Sequence, residues 1–191
     1  MRGREAGMDH AELVSHITLW IVVLLLVFAY MQLPQPWKRK NRLDLQDFGL
    51  PLRQPMPELD IRSITGESIM DLIRPGVSTV LLFTSVGCQA CNGLYPLLNT
   101  YAEREDVNFL LFVEGDETAI KNKTREHKFT FPVFQLNDDL MTRLQVSAFP
   151  FGYYVTGTGL IAAKGGIPDA DALELLLSEG FYENASLLKT G

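Results

Sequence analysis

The chain has 191 residues, 47% of them hydrophobic and 21% charged, with a formal net charge of −6; this leaves room for one domain and a tail, and the balance excludes a disordered polymer. Beyond Leu43 stand 11 Lys plus Arg against 20 Asp plus Glu. So acidic a portion excludes nucleic acid as a partner, because phosphate contacts require cations.

Residues 1–12 read as a short tail. From Leu13 to Trp37 there is no Asp, Glu, Lys or Arg, and the centre reads WIVVLLLVFAYM (Trp20–Met31). About 20 apolar residues in a helix cross a bilayer core, so 13–33 is predicted to be a transmembrane anchor. Trp20, Tyr30 and Trp37 suit the membrane interfaces. A cleaved signal peptide is disfavoured by the length of the run and by the lack of a small-x-small site before Pro34. Residues 34–56, rich in Pro, Gln and charge, read as a stalk.

The domain proper is predicted over 57–180, followed by a tail, 181–191. It opens with ELDIRSITGES (Glu58–Ser68), in which Thr65-Gly66 suggests a turn between two short strands. Val77–Thr84 is an apolar, β-branched run, the pattern of a strand buried on both faces. Asn92–Glu105 places Leu94, Leu97, Leu98 and Tyr101 at helical spacing, and Val107–Val113 is a second buried strand. A polar helix over Ala119–His127, a strand over Phe131–Leu136 and a short helix over Asp138–Leu144 follow. Phe151–Thr156 and Leu160–Lys164 flank Gly157-Thr158-Gly159, a hairpin signal. A helix over Asp169–Leu177, capped by Asp169, closes the domain. The order β-α-β-α-β-α-β-β-α implies an α/β fold with a central sheet covered by helices.

The only cysteines, Cys88 and Cys91, are separated by Gln89 and Ala90. Random placement gives that spacing roughly one time in a hundred, which favours a selected dithiol. Zinc would need four ligands, and the three histidines, His10, His16 and His127, are scattered, so no metal is expected. A disulfide closing so short a loop restricts the unfolded chain little, so stability is a weak reason for it. The pair follows a predicted strand and opens a predicted helix. Cys88 would therefore lie at a helix N-terminus, where free N–H groups stabilise the thiolate that attacks disulfides. Cys91, one turn on, would resolve the mixed disulfide, and Gly87 leaves the approach to Cys88 open.

His127 reads as a surface or helix-end histidine, and Glu114, Asp116 and Glu117 as solvated loop carboxylates. Tyr153 and Tyr154 alternate on a strand, one for the core and one for the surface. Asn184-Ala185-Ser186 fits a glycosylation acceptor pattern.

The stretch FTSVGCQACNGLYPLL resembles the strand–CxxC–helix unit of the thioredoxin superfamily, with Pro96 at the place of that helix's kinking proline. VSAFPFGYYV resembles the superfamily's cis-proline segment. The resemblance implies a cis bond at Phe149–Pro150, packed beside the CxxC, with Phe149 pairing an extended substrate segment. Gly165 and Gly166 match the glycine ending the last strand. The pattern is most similar to the membrane-anchored methylamine dehydrogenase accessory proteins of MauD type, through the N-terminal span, Pro57–Asp60, Val146–Pro150 and the hairpin after them. Reductases of cytochrome c maturation, of ResA and TlpA type, share the architecture. The family's Trp before the first Cys is Gly87 here, its buried acid six positions before that Cys is Leu82, and the central dipeptide is Gln89-Ala90.

The expectation is a thioredoxin-like α/β domain on one N-terminal transmembrane helix. It is read as a thiol–disulfide oxidoreductase with Cys88 and Cys91 as catalytic residues and Gly87, Phe149 and Pro150 as substrate-binding residues. The redox-active disulfide is its only redox group, and no organic cofactor is implied. Its partners are client protein thiols or disulfides and a redox partner protein. The alternatives are a reductase for cytochrome c maturation and a non-catalytic assembly factor using the same groove. Lys38, Arg39, Lys40 and Arg42 outnumber the positive charges before the span by about one, which favours a cytoplasmic domain. The resemblance, and the persistence of disulfides outside the cytosol, favour an extracytoplasmic domain with Met1 in the cytoplasm.

Overall fold

Strand β1, Ser78–Ser85, is buried at all eight positions. Alternate side chains of a strand point to opposite faces, and here each face meets a core. Val80 and Leu82 join Cys91, Leu94, Leu98 and the helical Leu173 and Leu176 on one side. Leu81 and Phe83 join Phe112, Phe134, Leu144 and Tyr153 on the other. Strand β2, Val107–Glu114, lies parallel to β1, with Ser78 opposite Val107 and Ser85 opposite Glu114.

The computed structural model describes residues 10–32 and 48–190; the chain divides into two units, 1–42 and 43–191. In the second unit β3, Val133–Leu136, extends the sheet parallel to β2. β4, Phe151–Val155, runs antiparallel to β1, and β5, Ile161–Gly166, pairs back on β4. The order across the five-stranded sheet is β3-β2-β1-β4-β5.

Helix α1 (His10–Gln32) belongs to the first unit. In the second, Ser68 caps the short α2 (Ile69–Leu72) by accepting from the Met70 N–H. α3 is Leu98–Ala102, α4 is Glu117–Glu126 capped by Asp116, and α5 is Asp138–Arg143 capped by Asn137. α6 (Ala170–Thr190) starts where Asp169 Oδ1 accepts from the Ala172 N–H at 2.9 Å. The predicted alternation of strands and helices is present.

Several boundaries differ from expectation. The turn at Gly66 is there, but its flanking strands reduce to one bridge, Arg62 to Ser68. Residues 48–56 are not stalk: Leu50 is buried, and Arg53 and Met56 donate to the Ile161 and Gly159 carbonyls. α6 continues through the expected tail at 181–190, so the sequon lies inside a helix, where Asn184 Nδ2 donates to Ser78 Oγ at 3.5 Å. Tyr153 and Tyr154 are both buried, because both sheet faces carry a core.

The anchor expected over 13–33 coincides in position with α1. Along its described side chains, Val14 to Phe28, apolar residues are exposed, and Thr18 returns its hydroxyl to the Val14 carbonyl at 2.8 Å. Among the described residues no helix is long and apolar enough to cross a membrane. The tail at 1–9, the stalk at 34–47 and the basic cluster Lys38–Arg42 lie outside the described residues.

Candidate active site

The chain leaves β1 at Ser85, passes Val86 and Gly87, and turns so that the Cys88 N–H donates to the Ser85 carbonyl at 3.1 Å. Cys91 follows on a 3-10 turn, Ala90–Gly93. The two cysteines form a disulfide, with Cα atoms 5.3 Å apart. Cys88 is half-buried, while Cys91 is 0% exposed among Leu82, Leu94, Tyr95 and Leu98.

No continuous helix follows the pair. The amides of Asn92, Leu94 and Leu97 reach back three residues, to Gln89, Cys91 and Leu94, at 3.2, 3.0 and 2.9 Å. Pro96 has no N–H to give the Asn92 carbonyl, so the α-helical ladder cannot form across it. Regular α-helix begins only at Leu98. The expected stabilisation of Cys88 by a helix N-terminus is therefore corrected, since so short a piece carries little macrodipole. A single local donor takes its place: the Cys91 N–H points at Cys88 Sγ from 3.1 Å.

Behind Cys91 the place of the absent acid is filled by Leu82, 0% exposed. Tyr95, also buried, gives its hydroxyl to the Ser85 carbonyl at 3.3 Å, and burial pushes that hydroxyl's pKa upward. Its ring packs on His127 and Phe129 at 4.9 and 5.7 Å, with Lys123 Nζ 5.6 Å from its centroid. His127 thus ends α4 within an aromatic cluster, and its Nε2 is buried with no hydrogen-bond partner among the described residues.

The Phe149–Pro150 peptide is cis. β4 begins one residue later with Phe151 opposite Phe83 of β1. The antiparallel register therefore carries Phe149 and Pro150 to the end of the sheet where Ser85–Cys88 departs. Pro150 is buried and its carbonyl accepts from the Ile167 N–H at 3.0 Å. Phe149, half-buried, packs against both cores. Gly87 is exposed, and a Cβ there would meet only Ser85 Oγ, at 3.9 Å.

The three loop carboxylates are dispersed rather than clustered. Asp116 caps α4 through the Ala119 N–H, Glu117 pairs with Lys121, and Glu114 accepts from Ser85 Oγ at 2.5 Å. Ser85, Glu114 and Tyr95 are the site neighbours that sequence reasoning missed. The signal for the first two was available only as the ends of two predicted strands. Among the described residues no group of His, Cys, Asp or Glu could hold a metal ion.

No family model matches the chain. The methylamine utilization protein MauD of Paracoccus versutus is 25% identical over 181 residues, 92% of this chain and 92% of its own. MauD of Methylophilus methylotrophus is 26% identical over 121 residues, 62% of this chain and only 57% of its own length. The thiol-disulfide oxidoreductase YkuV of Bacillus subtilis is 27% identical over 114 residues, 54% of this chain and 77% of its own. The solution structure of a thioredoxin-like protein in its oxidised form superposes with a TM-score of 0.61 at 23% identity, covering 70% of this chain and 99% of that one.

The chain has the thioredoxin-like fold. It resembles MauD and the thiol–disulfide oxidoreductases, and with Cys88 and Cys91 joined as a disulfide it is a thiol–disulfide oxidoreductase. The sheet supplies the placement. β1 delivers the cysteines and β4 delivers the cis-proline to one end of the same pair of strands.

Proposed function

We propose that this oxidoreductase is tethered to the membrane and exchanges disulfides with extracytoplasmic client proteins. The observation that carries the reading is the asymmetry of the pair: Cys88 half-buried with an N–H directed at its sulfur, Cys91 sealed behind it. In the reduced protein the Cys88 thiolate attacks a client disulfide, forming a Cys88–client bond and releasing one client thiolate. Cys91, as thiolate, then attacks the Cys88 sulfur and expels the second client thiolate. The client gains two electrons, and the protein is left as the Cys88–Cys91 disulfide. A redox partner protein with its own dithiol restores the reduced state, and the reverse sequence oxidises a client dithiol. Gly87 leaves room for the client at Cys88, and Phe149 and Pro150 form the neighbouring edge on which an extended client segment lies.

Similarity to MauD of Paracoccus versutus over 92% of the chain supports a client that is a subunit of a secreted enzyme, such as methylamine dehydrogenase. The uncharged run from Leu13 to Trp37 supports the tether, with 13–33 in the bilayer and Met1 in the cytoplasm. Two experiments test the reading. Cys91→Ser in the native host should accumulate mixed disulfides at Cys88, seen as reductant-sensitive adducts on non-reducing gels; their absence sinks it. Alkaline phosphatase fused after Gly191 should be active, and activity only in a cytoplasmic reporter at the same place reverses the orientation.

A further inference from the structure

We infer that Ser85 and Glu114 form a positioning pair that holds the peptide carrying Cys88 in its reactive geometry once the disulfide is open. This rests on the oxidoreductase reading above. Ser85 ends β1 and Glu114 ends β2, directly opposite one another in the parallel register. Ser85 Oγ donates to Glu114 Oε2 at 2.5 Å. An ionised carboxylate only accepts, so the hydroxyl proton is committed to it and the oxygen's lone pairs face elsewhere. One of them accepts the Gly87 N–H at 3.2 Å. The backbone carbonyl of the same serine accepts the Cys88 N–H and the Tyr95 hydroxyl, at 3.1 and 3.3 Å.

Val86 completes the clasp. Its N–H donates to the Glu114 carbonyl at 3.0 Å, and its side chain lies over Gly115, where an added Cβ would come within 2.7 Å of Val86 Cγ2. Gly115 has φ +147°, so this close seat of the loop on the end of β2 suits glycine on both counts. The amides of Val86, Gly87 and Cys88 are thus each fixed by Ser85 or Glu114.

In the oxidised protein the covalent bond between Cys88 and Cys91 also holds this loop, so the clasp is redundant there. In the reduced protein that bond is gone, and the clasp alone keeps Cys88 Sγ in front of the Cys91 N–H. Loosening the clasp should therefore destabilise the reduced form selectively. A residue that merely supports the fold would weaken both forms equally and leave the redox equilibrium in place.

The full chain in detergent, equilibrated with a glutathione series, reads this directly. Ser85→Ala should shift the equilibrium constant toward the disulfide by on the order of tenfold, the worth of one hydrogen bond, and slow alkylation of Cys88 in the reduced protein. Ser85→Thr, which keeps the hydroxyl, should return to within about twofold of wild type. Glu114→Gln keeps an acceptor without the charge and should shift the equilibrium in the same direction by less. The Ser85→Ala/Glu114→Gln pair should fall no further than Ser85→Ala alone. Wild-type equilibria in both single variants, or effects that add, overturn the inference. If Ser85→Ala does not fold, the near-isosteric Glu114→Gln decides, and an unchanged equilibrium there is fatal. A wild-type protein that shows no reversible couple fails the oxidoreductase reading instead.

Discussion

Replacing Tyr153 with phenylalanine deletes one oxygen and separates two parts of the domain. The Tyr153 hydroxyl accepts from the Leu50 N–H and donates to the Leu144 carbonyl, both at 2.7 Å, and the side chain is 0% exposed. It ties residues 48–56 to the end of α5. A buried polar group left unpaired costs about 1–3 kcal/mol. Leu144 is 0% exposed and Leu50 9%, so the carbonyl stays stranded while the amide can reach water. About 3 kcal/mol in all is expected, or roughly 6–12 °C in melting temperature for a chain of this size. Chemical denaturation of the full chain in detergent measures it, and faster tryptic cleavage at Arg53 should accompany the loss. Burial also pushes the Tyr153 pKa up to about 12 from 10.0. The unfolded tyrosine ionises near 10 while the folded one holds its proton, so this stabilisation is complete below pH 10 and disappears as pH rises to 12. The gap between wild type and variant should narrow over that window. A variant within about 0.5 kcal/mol of wild type, the range of an inconsequential surface change, refutes the reasoning.

Cys91→Ser in purified protein, offered a disulfide-bonded peptide, should stop at a stable adduct on Cys88, whereas Cys88→Ser should form adducts far more slowly because Cys91 is sealed. Equal adduct formation by the two would reverse their roles. Gly180→Ala should destabilise, although alanine normally gains about 1 kcal/mol over glycine inside a helix. The added Cβ would overlap the Tyr154 ring, and overpacking costs about 1–3 kcal/mol, leaving a net loss of up to roughly 2 kcal/mol. A full kcal/mol of stabilisation in a denaturant titration would show that α6 is not seated on Tyr154.

The strands at the centre were legible because a parallel sheet covered on both faces demands unbroken apolar runs, which Val77–Thr84 and Val107–Val113 supply. Hairpin and caps were legible from Gly157-Thr158-Gly159 and Asp169. The helix after the cysteines was overestimated, because leucine spacing was weighed without the donor that Pro96 lacks. Tyr153 and Tyr154 were divided between core and surface by period alone, and period cannot say that both faces of the sheet are covered. Glu114 was set aside as solvated because its partner, Ser85, lies 29 residues away and strand register is not written locally. The cis bond at Phe149–Pro150 could be read only through resemblance, since nothing in the neighbouring residues demands it.

The central claim is that Cys88 and Cys91 are a working two-electron couple with Cys88 at its accessible end. The direct measurement equilibrates the full chain across a glutathione redox series, quenches with an alkylating agent and counts modified thiols by mass. The account predicts that species with zero and two modified thiols interconvert reversibly, and that brief alkylation of the reduced protein labels Cys88 first. A disulfide that stays closed across the series, or thiols that never reoxidise, would contradict it.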